Sequence, residues 1–128
     1  MKTPALLLAA LAGLSVGVLG TSVLRANASV SPPAYVVAEE DVTDPAGFQK
    51  YAAQVPPTIA AFGGHYVVRG GRTDALEGAA PQRFVIVTFE SMQKARAWYD
   101  SPAYAAIRPL RQHASRTRAF IAEGLSPP

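Results

Sequence analysis

Arg83-Phe-Val-Ile-Val-Thr-Phe89 is the stretch that decides the fold. β-branched and aromatic side chains fill it, and neither Gly nor Pro interrupts it, so it reads as a strand. Its apolar residues fall on both parities, Val85 and Val87 on one and Phe84 and Ile86 on the other. Ala34-Tyr-Val-Val-Ala38 repeats the pattern, with Tyr35 and Val37 opposed to Val36 and Ala38. Strands written this way require burial on both faces of a sheet.

The neighbouring segments supply the rest of the sheet and its cover. After the first strand, Asp44-Pro45 is a helix start, a capping carboxylate followed by Pro at the first helical position. Phe48, Tyr51, Val55, Ile59 and Phe62 then form one apolar stripe. Pro56-Pro57 predicts an interruption or kink in that helix, because Pro removes a donor and crowds the preceding turn. Gly63-Gly64 stops it, His65 to Arg69 is a second strand, and Gly70-Gly71 ends that strand. These glycine pairs answer backbone geometry, at positions that call for positive φ. No Gly-Lys-Ser/Thr follows them, so they are not phosphate loops. Arg72 to Gln82 is a turn-rich connector to the strand at Arg83. Ser91 caps a second helix bearing Met92, Ala95, Trp98 and Tyr99. Ser101-Pro102 restarts the helix as far as His113, and Arg116 to Glu123 is the last strand.

The resulting order, β-α-β-β-α-β, suits a ferredoxin-like α+β sandwich with an antiparallel sheet in the order 4-1-3-2 and its helices on one face. The other face is apolar and needs a cover. A second sheet from an identical subunit provides one, giving a dimeric α/β barrel.

Residues 1–28 read as a leader. Lys2 supplies a positive start, Pro4 to Leu24 carries no charge, and Ala26-Asn27-Ala28 is a small-x-small cleavage pattern. Cleavage after Ala28 exports the domain, most simply to a bacterial periplasm. The alternative is an uncleaved anchor in the inner membrane, since roughly 20 apolar residues span hydrocarbon. Residues 29–33 are a linker, 34–125 the domain and 126–128 a tail. The chain has no Cys, which excludes disulfides, thiolate nucleophiles and Cys-based metal sites. The net charge is +3, and losing Lys2 and Arg25 with the leader lowers it to +1. So neutral a surface argues against a nucleic-acid partner.

From Ala34 to Leu125 the chain resembles the family catalogued as domain of unknown function 1330, within the dimeric α/β-barrel superfamily. The matching text is Ala34-Tyr-Val-Val-Ala38, Val42-Thr-Asp-Pro45, Phe62 to Gly71, Leu76-Glu-Gly78, Arg83 to Glu90, Ala97 to Tyr104 and Arg108. The resemblance implies the fold and no particular reaction. Relatives in the wider superfamily include cofactor-independent monooxygenases, muconolactone isomerases and haem-binding enzymes. Monooxygenases of that superfamily often set an Asn beside a Trp and a His. Here the sole Asn is Asn27, inside the leader, so that pattern does not carry over.

The candidate site residues are few. His65 and His113 are the only histidines, too few for a His-rich metal site in one subunit, and no metal or other cofactor is expected. His65, at a strand start, and Glu39, in register with Tyr35 and Val37, are the candidate catalytic bases. Arg69, Tyr99, Tyr104 and Arg108 are the candidate ligand-binding residues, as anion partners and hydrogen-bond donors. Arg116 and Arg118 are expected beside Glu39, Glu40 and Asp41 across the strand pair. Ser101 reads as a helix cap and not a nucleophile. Together these point to an exported homodimer that holds a small, partly apolar or anionic molecule in the barrel interior. The alternatives are a cofactor-independent isomerase or monooxygenase-like enzyme, and a structural or stress-response dimer without a specific ligand.

Overall fold

A computed structural model describes residues 30–128, so the leader expected over residues 1–28 lies outside the described residues. Chain order within them is β1 (Ala34–Val42), α1 (Pro45–Ala60), β2 (His65–Arg69), β3 (Arg83–Phe89), α2 (Met92–Tyr99), α3 (Pro102–Ala114) and β4 (Ser115–Glu123). The strands form one antiparallel sheet in the order β2-β3-β1-β4, which is the expected 4-1-3-2 arrangement read from its other edge. β1 and β3, the two strands apolar on both parities, are the central pair.

Caps set the helix starts. The Asp44 side chain accepts a hydrogen bond from the Gly47 N–H, and Ser91 does the same for Lys94. Ser101 serves both sides of the α2–α3 junction: its Oγ donates to the Trp98 carbonyl at 2.7 Å and accepts from the Tyr104 N–H at 3.3 Å.

The expected interruption of α1 is corrected by the structure. The helix runs unbroken from Pro45 to Ala60 with Pro56 and Pro57 inside it. Each proline deprives the carbonyl four residues earlier of its donor. Nη2 of Arg69, on β2, donates to the Ala52 carbonyl at 3.2 Å and so replaces the bond that Pro56 cannot make. Ala53, the corresponding residue for Pro57, is exposed, and water can serve its carbonyl.

β2 departs from simple alternation. Its register with β3 skips Val67, a bulge that reverses the side-chain parity beyond it. Tyr66 and Arg69 therefore share the helix-facing side, whereas His65 and Val68 face the other way. Without the bulge, Arg69 would stand on the same face as His65.

Phe48, Tyr51, Val55 and Ile59 from α1, Trp98 from α2, and Tyr104 and Ile107 from α3 pack on Val36, Val87 and Phe89 of the sheet. Gly64 is required by close approach, since a Cβ there would sit 2.6 Å from the Phe89 ring and 2.7 Å from Ile59 Cγ2. The opposite face of the sheet carries Tyr35, Val37, Phe84, Ile86 and Phe120, the last 43% exposed.

Candidate functional site

Alternation along β1 points Ala34, Val36, Ala38 and Glu40 toward the helices. Glu40 thus puts a carboxylate at the end of a buried apolar row and is only 4% exposed. Arg83 is its cross-strand neighbour on β3, and Arg83 Nε donates to Glu40 Oε2 at 3.1 Å. From the helix layer, the buried stripe of α3 is Tyr104, Ile107, Arg111 and Ala114, so Arg111 is carried inward on the packing face and is 7% exposed. Tyr51 of α1 meets Tyr104, the two hydroxyls lying 3.1 Å apart.

These groups surround a pocket between the helices and the sheet, walled elsewhere by Val36, Val85, Val87, Val55 and Trp98. Its volume is about 50 Å³. That is room for a few waters or a small ion, and well below the roughly 150 Å³ of an apolar cavity that admits benzene.

The electrostatics of the pocket are lopsided. Burial raises the Glu40 pKa above its ordinary value of 4.5, an effect that Arg83 and Arg111 only partly offset. Burial also pushes the Tyr51 phenol upward, reinforced by Tyr104, so the Tyr51 hydroxyl serves as a neutral hydrogen-bonding group. For Arg111 burial works against the charge, but Tyr104, Tyr51 and Glu40 together hold its pKa above the ordinary value. Arg111 stays a cation. Among the described residues no carboxylate lies within ion-pair distance of it. Glu40, which pairs with Arg83, acts on it from farther away, and the Tyr104 hydroxyl accepts a hydrogen bond from it.

The structure separates the residues singled out in the sequence. Arg69, Tyr99 and Tyr104 line the pocket. Arg108 stacks behind it, its Cζ 4.6 Å from the Tyr99 ring centre and its Nη1 donating to the Tyr99 carbonyl at 3.3 Å. His65 and Glu39 are on the far face of the sheet and do not reach the pocket. They oppose Thr88 and Phe84, respectively, on β3. Those β3 positions are about 13 Å apart along a strand, so the two residues do not converge with each other either. His113 is exposed near the end of α3. Arg118 and Arg116 pair with Glu39 and Asp41 across β1 and β4 as expected, with Arg118 Nη1 at 3.9 Å from Glu39 Oε2. Among the described residues no group of His, Asp and Glu side chains is arranged to hold a metal ion.

The domain of unknown function DUF1330 matches residues 33–125. The chain belongs to the DUF1330 family. No functionally curated protein matches it. A protein of unknown function from Rhodopseudomonas palustris is similar in structure, with a TM-score of 0.62 at 18% identity over 76% of this chain and 85% of the other. A dimeric ferredoxin-like protein of unknown function from Thermobifida fusca gives a TM-score of 0.53 at 14% identity, over 73% of this chain and 92% of the other. SnoaB, a cofactor-independent oxygenase from Streptomyces nogalater, gives 0.51 at 13% identity, over 74% of this chain and 95% of the other. At these identities the likeness is one of fold.

Within this DUF1330 domain the charged residues that matter most for the pocket are Glu40, Arg83 and Arg111. Glu40 and Arg83 did not stand out from the sequence as site residues. Arg111 did so only within the run of arginines Arg108, Arg111, Arg116 and Arg118, which has no intervening acid and of which one reading is a clamp for a carboxylate or phosphate. Glu40 and Arg111 each left a further trace there. Glu40 continues the parity of Val36 and Ala38, the buried row of β1. Arg111 continues the 104, 107 stripe of α3. A charge at a position that periodicity assigns to the core is the signal that finds both.

Proposed function

We propose that this DUF1330 protein is an exported homodimer that binds a small carboxylate or similar anion with a partly apolar body, in the pocket between its helices and its sheet. The single observation that carries the reading is Arg111, a buried guanidinium on the pocket wall with no ion pair among the described residues. A buried cation is costly unless an opposite charge or several hydrogen bonds meet it. The Tyr104 hydroxyl meets part of that need. An anion within the pocket adds the opposite charge at close range, and the Tyr51–Tyr104 hydroxyl pair offers it a donor. The apolar walls suit a short hydrocarbon body. The binding chamber is thereby a property of one subunit and not of the space between two sheets.

Dimerisation is supported by the apolar outer face of the sheet and by the dimeric Thermobifida fusca protein of the same fold. Export is supported by Lys2, the uncharged run after it and Ala26-Asn27-Ala28. A second reading, a cofactor-independent isomerase or oxygenase, draws on Glu40. A buried carboxyl with a raised pKa beside a guanidinium can move a proton while Arg111 steadies negative charge on the substrate.

Thermal unfolding with formate, acetate or propionate, against acetamide at equal concentration, tests the proposal. The carboxylates should raise the unfolding midpoint, acetamide should not, and R111M should abolish the difference, because a ligand stabilises only the state it binds. Equal response of wild type and R111M overturns the reading. Native mass spectrometry of the processed protein should show a dimer of chains beginning at Ser29; a monomer overturns the dimer.

A further inference from the structure

Outside the pocket, α1 and the β2–β3 edge border an open groove of about 370 Å³. Phe48, Ala52, Arg69 and Arg83 line both spaces, so pocket and groove share a wall. Arg69 stands at that boundary. Its guanidinium lies 4.5 Å above the Tyr66 ring and donates to the Ala52 carbonyl, the acceptor that Pro56 leaves without a helical donor. Among the described residues no carboxylate lies within ion-pair distance of Arg69. Its partner is thus a neutral carbonyl. A hydrogen bond to a carboxylate is roughly twice as strong as one between neutral groups, and a planar fork engages it through two bonds. An anion in the groove can therefore displace the carbonyl.

We infer that the groove is the way into the pocket and that Arg69 is the residue selecting small carboxylates there, exchanging the Ala52 carbonyl for the incoming anion. The inference rests on the anion-binding reading of the pocket. Three features combine to build the entry. Pro56 exposes the acceptor, the bulge at Val67 turns Arg69 to the helix side, and Tyr66 supports the guanidinium from beneath. Thr117 and Ala119 line the pocket at its β4 side and mark the competing route.

Trp98 reports on passage. It is the only Trp in the chain, it lines the pocket and it is 3% exposed. Quenching of its fluorescence by iodide, compared with neutral acrylamide, measures how readily an anion gets in. In R69M the iodide-to-acrylamide ratio should fall about threefold, a single charge giving less than the roughly tenfold counter-ion enrichment of a cleft lined by several, and R69K should restore it. Both substitutions are at an exposed position on an edge strand, and circular dichroism checks their fold. An unchanged ratio in R69M with a fall in R111M overturns the entry and leaves the pocket reading intact, placing the route at the β4 side. A fall in R69M with none in R111M keeps the entry and removes the support for Arg111 as anion partner. Dependence on neither residue overturns both.

Discussion

At Arg111 burial and the lack of an ion pair set stability against binding. Replacing it with Met removes a desolvated charge while keeping most of the side-chain volume. In anion-free buffer R111M should unfold at the same temperature as wild type or higher, and it should be the variant that carboxylates fail to stabilise. A lower midpoint would show that the guanidinium supports the fold. Glu40 gives a pH signature. Its folded pKa is raised, so the folded protein holds this proton more tightly than the unfolded chain. The stability gained is fully present below the ordinary value of 4.5 and is lost as pH climbs through the folded pKa. Unfolding midpoints of E40Q, measured across that window, should gain on wild type as pH rises above 4.5, whereas a constant gap would contradict the assignment. Gly64 is a residue chosen for space: G64A presses a methyl group into Phe89 and Ile59, and denaturant unfolding should show a loss of about 1–3 kcal/mol.

Elements were largely readable from residue type, and their exceptions share a cause. The Asp44 and Ser101 caps, the Gly63 stop and the central strands follow from local chemistry, which acts over a few residues. Ser101 illustrates how much one such residue does. S101A loses the α3 cap and the tie to Trp98, and chemical denaturation should show about 1–2 kcal/mol of destabilisation. The continuity of α1 was not readable, because the donor that replaces the Pro56 bond comes from Arg69 on another element. The bulge at Val67 was hidden for a related reason. Nothing in His65-Tyr-Val-Val-Arg69 says where β3 will skip a residue, yet that skip decides whether Arg69 faces the helices or stands beside His65. The placement of Glu39 and Glu40 turned on one step of parity. The same alternation that sends Val36 and Ala38 inward takes Glu40 with them and leaves Glu39 in an ion pair with Arg118.

For the whole molecule the two faces of the sheet differ. The helix side holds the charged pocket, and the other side carries Tyr35, Val37, Phe84, Ile86 and Phe120, the surface that the proposed dimer would bury. Because a stable interface takes about 1,200–2,000 Å² of surface out of water, a charge placed within it is disruptive. F120E should convert the dimer to a monomer in sedimentation velocity. That monomer should still be stabilised by carboxylates, since all the pocket residues belong to one chain. Loss of the carboxylate response together with the dimer would instead place the binding chamber between subunits. The position of the anion is open to direct observation in a crystal of the protein soaked in iodide, where anomalous scattering locates the ion without reference to any ligand. The expected result is a peak inside the helix–sheet pocket beside the Arg111 guanidinium, absent from R111M. Iodide found at surface arginines alone, with the pocket holding none, would contradict the anion-binding role.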